Sequence, residues 1–222
     1  VADILAEQLP ETVALGLAAL VLSMALGIGL GIASALARGR ALDVLASGFA
    51  TVAMTIPGFW LGLLLILVFA VQLEWLPVSG ADSASSMVLP AVALGLAGAG
   101  LVARVLRGSL IEAMSKDYVL LLKARGVGRS RIFWRHALRN ALIPVVTILG
   151  LRIGWVIGGA VPVEVVFARP GIGSLLVESI GRRDYPVVQA TLLMLALAVM
   201  LGSLVADLIQ AWIDPRVRRQ FG

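Results

Sequence analysis

The residues best able to do chemistry in this chain are cationic, and most of them sit in one stretch. Lys116, Lys123, Arg125, Arg129, Arg131, Arg135 and Arg139 interrupt an otherwise apolar sequence. Within it Tyr118, Leu121, Leu122 and Arg125 fall at i, i+3, i+4 and i+7, which predicts a short helix with an apolar stripe. Gly126 and Gly128 should break that helix, and Ser130 is placed to cap a second one. On the second helix Arg131, Arg135 and Arg139 recur every four residues. Like charges at that spacing repel, so the stripe must face water, lipid phosphate or an acidic partner. A docking surface for another subunit and a phospholipid-binding face are both consistent with these residues. Nucleic-acid binding is not expected, because the segment is tethered at each end to strongly apolar sequence.

Other chemistries find little support. The chain has no cysteine and a single histidine, His136, so no thiolate chemistry, cofactor site or metal site is expected. No Gly-x-x-x-x-Gly-Lys-Ser/Thr occurs, so nucleotide hydrolysis by the chain itself has no motif. Gly27-Ile28-Gly29-Leu30-Gly31 has no strand before it and reads as a site of close helix packing. So do Gly95, Gly98 and Gly100, and Gly150, Gly154, Gly158 and Gly159. Two ionisable residues fall within apolar runs, Arg152 and Asp207. A charge there is costly and must meet a partner or a polar cavity, and the two could pair with each other.

The elements that carry these residues are dictated by composition. Hydrophobic residues make up 60% of the 222 and charged residues 14%, a balance that fits lipid and not water. Five apolar runs are long enough to be spans: Thr12–Ala37, Val44–Val71, Met87–Ala103, Ala141–Val163 and Val187–Ile213. Pro57, followed by Gly58, should kink or break the second. The fold class is therefore an all-α polytopic transmembrane helical bundle, with one long basic loop at 104–140. Of the 18 Lys and Arg, fourteen fall in the segments 38–43, 104–140 and the tail containing Arg216, Arg218 and Arg219. The opposite loops hold only Arg169, Arg182 and Arg183. The positive-inside rule puts the basic segments in the cytoplasm, the N-terminus of the chain outside and the C-terminus inside.

The motifs resemble those of the inner-membrane permeases of binding-protein-dependent ABC importers for dipeptides, oligopeptides and nickel. The similarity runs through Asp117-Tyr118-Val119, Lys123-Ala124-Arg125-Gly126 and Arg135-His136-Ala137-Leu138-Arg139-Asn140-Ala141-Leu142-Ile143-Pro144. It continues in Val163-Glu164-Val165-Val166-Phe167-Ala168, Pro170-Gly171-Ile172-Gly173, Asp184-Tyr185-Pro186 and Asp214-Pro215-Arg216. It implies a permease domain over 1–222, lacking the further N-terminal span such permeases usually have, in a bacterial or archaeal cytoplasmic membrane. It also implies that the loop carries coupling helices docking on separate ABC ATPase subunits. Asp117, Tyr118, Leu121, Leu122, Arg125, Gly126, Arg135 and His136 would form that contact. Where many such permeases have Glu-Ala-Ala this chain has Leu120-Leu121-Leu122, which suits a more apolar docking face.

The implied partners are the ATPase subunits, a second homologous permease, a solute-binding protein and membrane lipid. The translocation path is expected along Pro57, Gly58, Arg152 and Glu164, with peptides the first expectation for cargo and nickel complexes the next. An ATP-independent channel or ion-coupled transporter is the alternative, and transport surviving ATP depletion would favour it.

Overall fold

A computed structural model describes residues 1–80 and 83–213, and it contains helices and no strand among them. Every backbone N–H and C=O in lipid needs a partner within the protein, and apolar Leu, Ala and Val runs meet that need as helices. The first, α1 (Ala2–Leu36), is ~50 Å long at 1.5 Å per residue, ample for the hydrocarbon core.

Leu15, Ala19, Ser23, Gly27 and Gly31 recur every four residues on α1, and all are buried. They form a ridge of mostly small side chains against α4 (Val88–Ser115). The expected role of the glycines is visible in the spacing. A Cβ on Gly27 would lie 2.8 Å from the Ala99 carbonyl oxygen, and one on Gly95 2.7 Å from that of Ala19. The two backbones are therefore in contact, which only small residues permit. Gly29 differs, because it faces open space and takes no part in the packing.

The second apolar run is not one continuous helix. It is divided into α2 (Ala41–Thr55) and α3 (Gly58–Leu65), which meet at 107°, and α3 continues as a π-helical stretch, Ile66–Gln72. Pro57 causes the break. It pushes the residue before it out of the helical region, and Ile56 is extended (φ −75°, ψ 125°).

α4 runs on to Ser115, well past the expected end at Ala103, so Arg104 and Arg107 lie on a helix and not in the loop. Leu106, Leu110 and Ala113 explain the extension, for each is buried. Val102, Leu106 and Leu110 join Phe133, Ala141, Val145 and Leu149 in a core at the basic end. A second core towards the other end joins Leu15, Ala19, Leu94, Val156, Val163 and Phe167.

The loop contains α5 (Asp117–Ala124) and α6 (Arg129–Arg131), the latter running through a π-helical turn, Ile132–Ala137, into α7 (Leu138–Val166). α7 bends by 49° around Gly150–Arg152. Beyond it the segment 167–184, expected as loop, contains α8 (Ile172–Arg182), and α9 (Tyr185–Ile213) follows. Gly150 and Gly154 let α7 approach α9 at Ala206 and Ser203. By length and composition, three helices among the described residues can each cross a membrane, or up to five spans form if each bent pair counts as one.

Candidate functional site

At the basic end, α5 begins at Asp117 and stops at a turn built on Gly126, whose φ of +77° is easily reached only by glycine. The Val127 N–H donates to the Leu122 carbonyl at 3.0 Å, closing a Schellman-type end. Gly128 then takes the N-cap position of α6. Ser130, expected to cap, lies inside that helix, because the chain turns helical one residue after Gly128.

Val119 is the side chain of α5 that turns inward and is buried. Tyr118 and Leu122 are half-buried, whereas Leu120 is 70% and Leu121 64% exposed. Asp117, Arg125 and Gly126 are also exposed, as are Arg131, Arg135 and Arg139, while His136 is half-buried. The loop therefore presents bare leucines among arginines.

Beneath it lies a clamp that sequence reasoning missed. Asp43 is buried and takes two charge-assisted hydrogen bonds from Arg107, Nε to Oδ1 at 2.7 Å and Nη2 to Oδ2 at 2.8 Å. Ser34 Oγ donates to the same carboxylate at 2.5 Å and the Gly39 N–H at 2.9 Å. One side chain thus ties α1, the α1–α2 turn, α2 and α4. The available signal was a lone acid placed among Arg38, Arg40 and a helix start.

At the opposite end Glu164 has no exposed surface. Its carboxylate accepts hydrogen bonds from Thr12 Oγ1 at 2.6 Å, the Gly173 N–H at 2.8 Å and the Ser174 N–H at 3.1 Å. Thr12 Oγ1 in turn accepts from the Ile172 N–H at 2.8 Å. The start of α8 is thus capped by residues from α7 and α1 and not by its own N-cap, Gly171. A Cβ on Gly171 would strike the Glu164 carboxylate, so the motif's glycine makes room for it. Alongside, buried Arg169 donates from Nη2 to Glu11 at 2.7 Å.

Of the residues expected along a path, Pro57 is exposed and Gly58 half-buried, with a Cβ on Gly58 only 3.1 Å from the Ala93 carbonyl oxygen. Arg152 is half-buried, with its guanidinium 4.8 Å from the Trp155 ring centroid in cation–π geometry and close to Gly98. The Asp207 side chain, its suggested partner, lies outside the described residues, as do Arg216, Arg218 and Arg219. Arg152 and Glu164 are twelve residues apart on α7, ~18 Å along the axis. This chain does not gather these four into one site, and the bonds Glu164 makes are those of a helix cap.

Closely packed apolar helices, a sharp break at Pro57 and a basic stretch bearing exposed leucines define a polytopic membrane scaffold. Residues 27–219 match the family described as binding-protein-dependent transport system inner membrane component, and the chain belongs to that family. It is 43% identical over 218 residues to the glutathione transport system permease protein GsiC of Escherichia coli (strain K12), covering 98% of this chain and 71% of that protein. The GsiC of Shigella boydii serotype 4 (strain Sb227) is 42% identical over the same span. In fold, the chain is similar to the inward-facing MetNI methionine ABC transporter, with TM-score 0.79 and 19% identity, covering 96% of this chain and 97% of that one. An amino acid ABC transporter with histidines is also similar, with TM-score 0.72, 13% identity and coverage of 95% and 94%.

The chain is thus an inner-membrane permease subunit of an ATP-driven importer, not an enzyme. Such permeases work with ATPase subunits and binding proteins. Membership removes the ATP-independent alternative.

Proposed function

We propose that this permease moves glutathione or a similarly short peptide, and that its basic loop faces the cytoplasm as the docking surface for the ATPase subunits. The cargo rests on the 43% identity to a glutathione permease along nearly the whole chain. The docking role rests on one observation above all, the exposure of Leu120 and Leu121 on α5 amid cations. Bare leucines at the end of a membrane protein most simply await an apolar groove, and the surrounding arginines suit an acidic rim.

Asp117, Tyr118, Leu121, Leu122, Arg125, Gly126, Arg135 and His136 would share that contact. Motion of the ATPase would pass through α5 and α6 into α4 and α7. A second permease would complete the path, with Pro57, Gly58 and Arg152 nearest the moving parts and Glu164 holding the outer rim.

Two measurements test these claims separately. Leu121→Asp with Leu122→Asp should abolish co-purification of the ATPase subunits while the permease remains folded in the membrane. Unchanged co-purification removes the docking assignment. With the complete importer in proteoliposomes and its binding protein outside, glutathione should stimulate ATP hydrolysis and accumulate. Accumulation of nickel or longer peptides without glutathione would overturn the cargo alone.

A further inference from the structure

A cleft of about 740 Å³ opens between the end of α1, the last turns of α4 and the start of α6. Its floor includes buried Leu110 and Phe133, and its rim holds Arg38, Arg40 and Arg129 beside the indole of Trp134. All three arginines are exposed, and among the described residues none is ion-paired. No acidic side chain lines the cleft. Leu36, at its edge, is 59% exposed and Trp134 53%.

We propose that this cleft binds one anionic phospholipid, with the phosphate held by Arg38, Arg40 and Arg129 and the acyl chains laid over the apolar wall. Charge complementarity selects the occupant. Three unpaired cations call for an anion, while the leucine and aromatic surface they border calls for hydrocarbon. A phospholipid of the cytoplasmic leaflet meets both needs at one depth. A tryptophan at the rim is the usual side chain at the headgroup boundary. An acidic protein surface would neutralise the arginines but leave the apolar wall against polar groups. The leucines proposed for ATPase docking, Leu120 and Leu121, do not line the cleft, so the two surfaces can be filled together. The inference rests on the cytoplasmic orientation proposed above.

The test uses the intact importer purified from the membrane, with retained lipid identified by native mass spectrometry. Wild-type complex should keep phosphatidylglycerol in preference to phosphatidylethanolamine. Each arginine removed should weaken retention about fivefold, so Arg38→Gln, Arg40→Gln and Arg129→Gln together should abolish it. The control Arg182→Gln with Arg183→Gln, at the other end of the chain, should retain lipid as wild type does. Equal retention of both lipids, or undiminished phosphatidylglycerol in the triple variant, would overturn the proposal. Loss of the ATPase subunits from the triple variant with lipid still bound would assign the cleft to protein docking instead. Complete displacement by inorganic phosphate would make it a free-anion site. The orientation is read separately: an Arg38→Cys chain labelled from outside intact cells would sink that reading, whereas the lipid assignment is decided by retention.

Discussion

At the scale of single residues, the two most heavily bonded acids are both joints between helices. Glu164 offers the sharper test. Glu164→Ala leaves the Gly173 and Ser174 N–H groups and the Thr12 hydroxyl without their acceptor. Each orphaned buried group costs about 1–3 kcal/mol, so the variant should unfold at markedly lower temperature and expose α8 to protease. Glu164→Gln keeps an acceptor oxygen and should lose less than half as much. Equal losses for the two variants would mean that the carboxylate matters for its charge and not as a cap. Such joints are poorly legible in sequence. Asp43 and Arg107 lie on different helices, as do Thr12 and Glu164, and only folding brings them together. The loop's glycine turn was legible, because spacing within one short segment fixes it, and Arg131, Arg135 and Arg139 are exposed as expected but fall on α6, the π-helical turn and the start of α7 in succession.

At the scale of elements, small residues decide which helices can touch. Gly27→Leu should drive α1 away from Val102 and Ala99, whereas Gly29→Leu on the same helix meets nothing within 4 Å. Yield of folded permease in the membrane should collapse for the first and stay near wild type for the second. Equal yields would sink the backbone-contact account of the α1–α4 pair. A repeat of Gly27-Ile28-Gly29-Leu30-Gly31 announces close packing but not which of its glycines makes it. That depends on the phase of the helix against its neighbour. Pro57 shows the same limit. The residue predicts a break, but the 107° turn accompanies the close approach of Gly58, at the start of α3, to Ala93 of α4, which no local pattern encodes. Likewise α8 was hidden, since an amphipathic helix of 11 residues in a polar loop gives little signal beside five long apolar runs.

For the whole molecule, the asymmetry of charge is the dominant fact, and it makes a directional claim. None of these 222 residues is cysteine, which gives single-site labelling a clean background over this stretch. Ser83→Cys, in the connection between α3 and α4, should react with a membrane-impermeant maleimide added to intact cells. Ser130→Cys, in α6, should react only after the membrane is opened. The reverse pattern would place the loop outside and end the docking proposal with it. The class of fold was readable at this scale because lipid leaves few solutions for an apolar chain. The cargo was not, since Pro57, Gly58, Arg152 and Glu164, the residues expected along a path, are not gathered into one site by this chain.

The bond from Thr12 to Glu164 joins residues 152 positions apart. During synthesis the first helix must enter the bilayer long before its polar partner emerges from the ribosome. The joint at the start of α8 can therefore close only as a late event of biogenesis. A nascent permease stalled earlier would display an unfinished edge, a feature by which a membrane-bound protease could tell incomplete chains from finished ones.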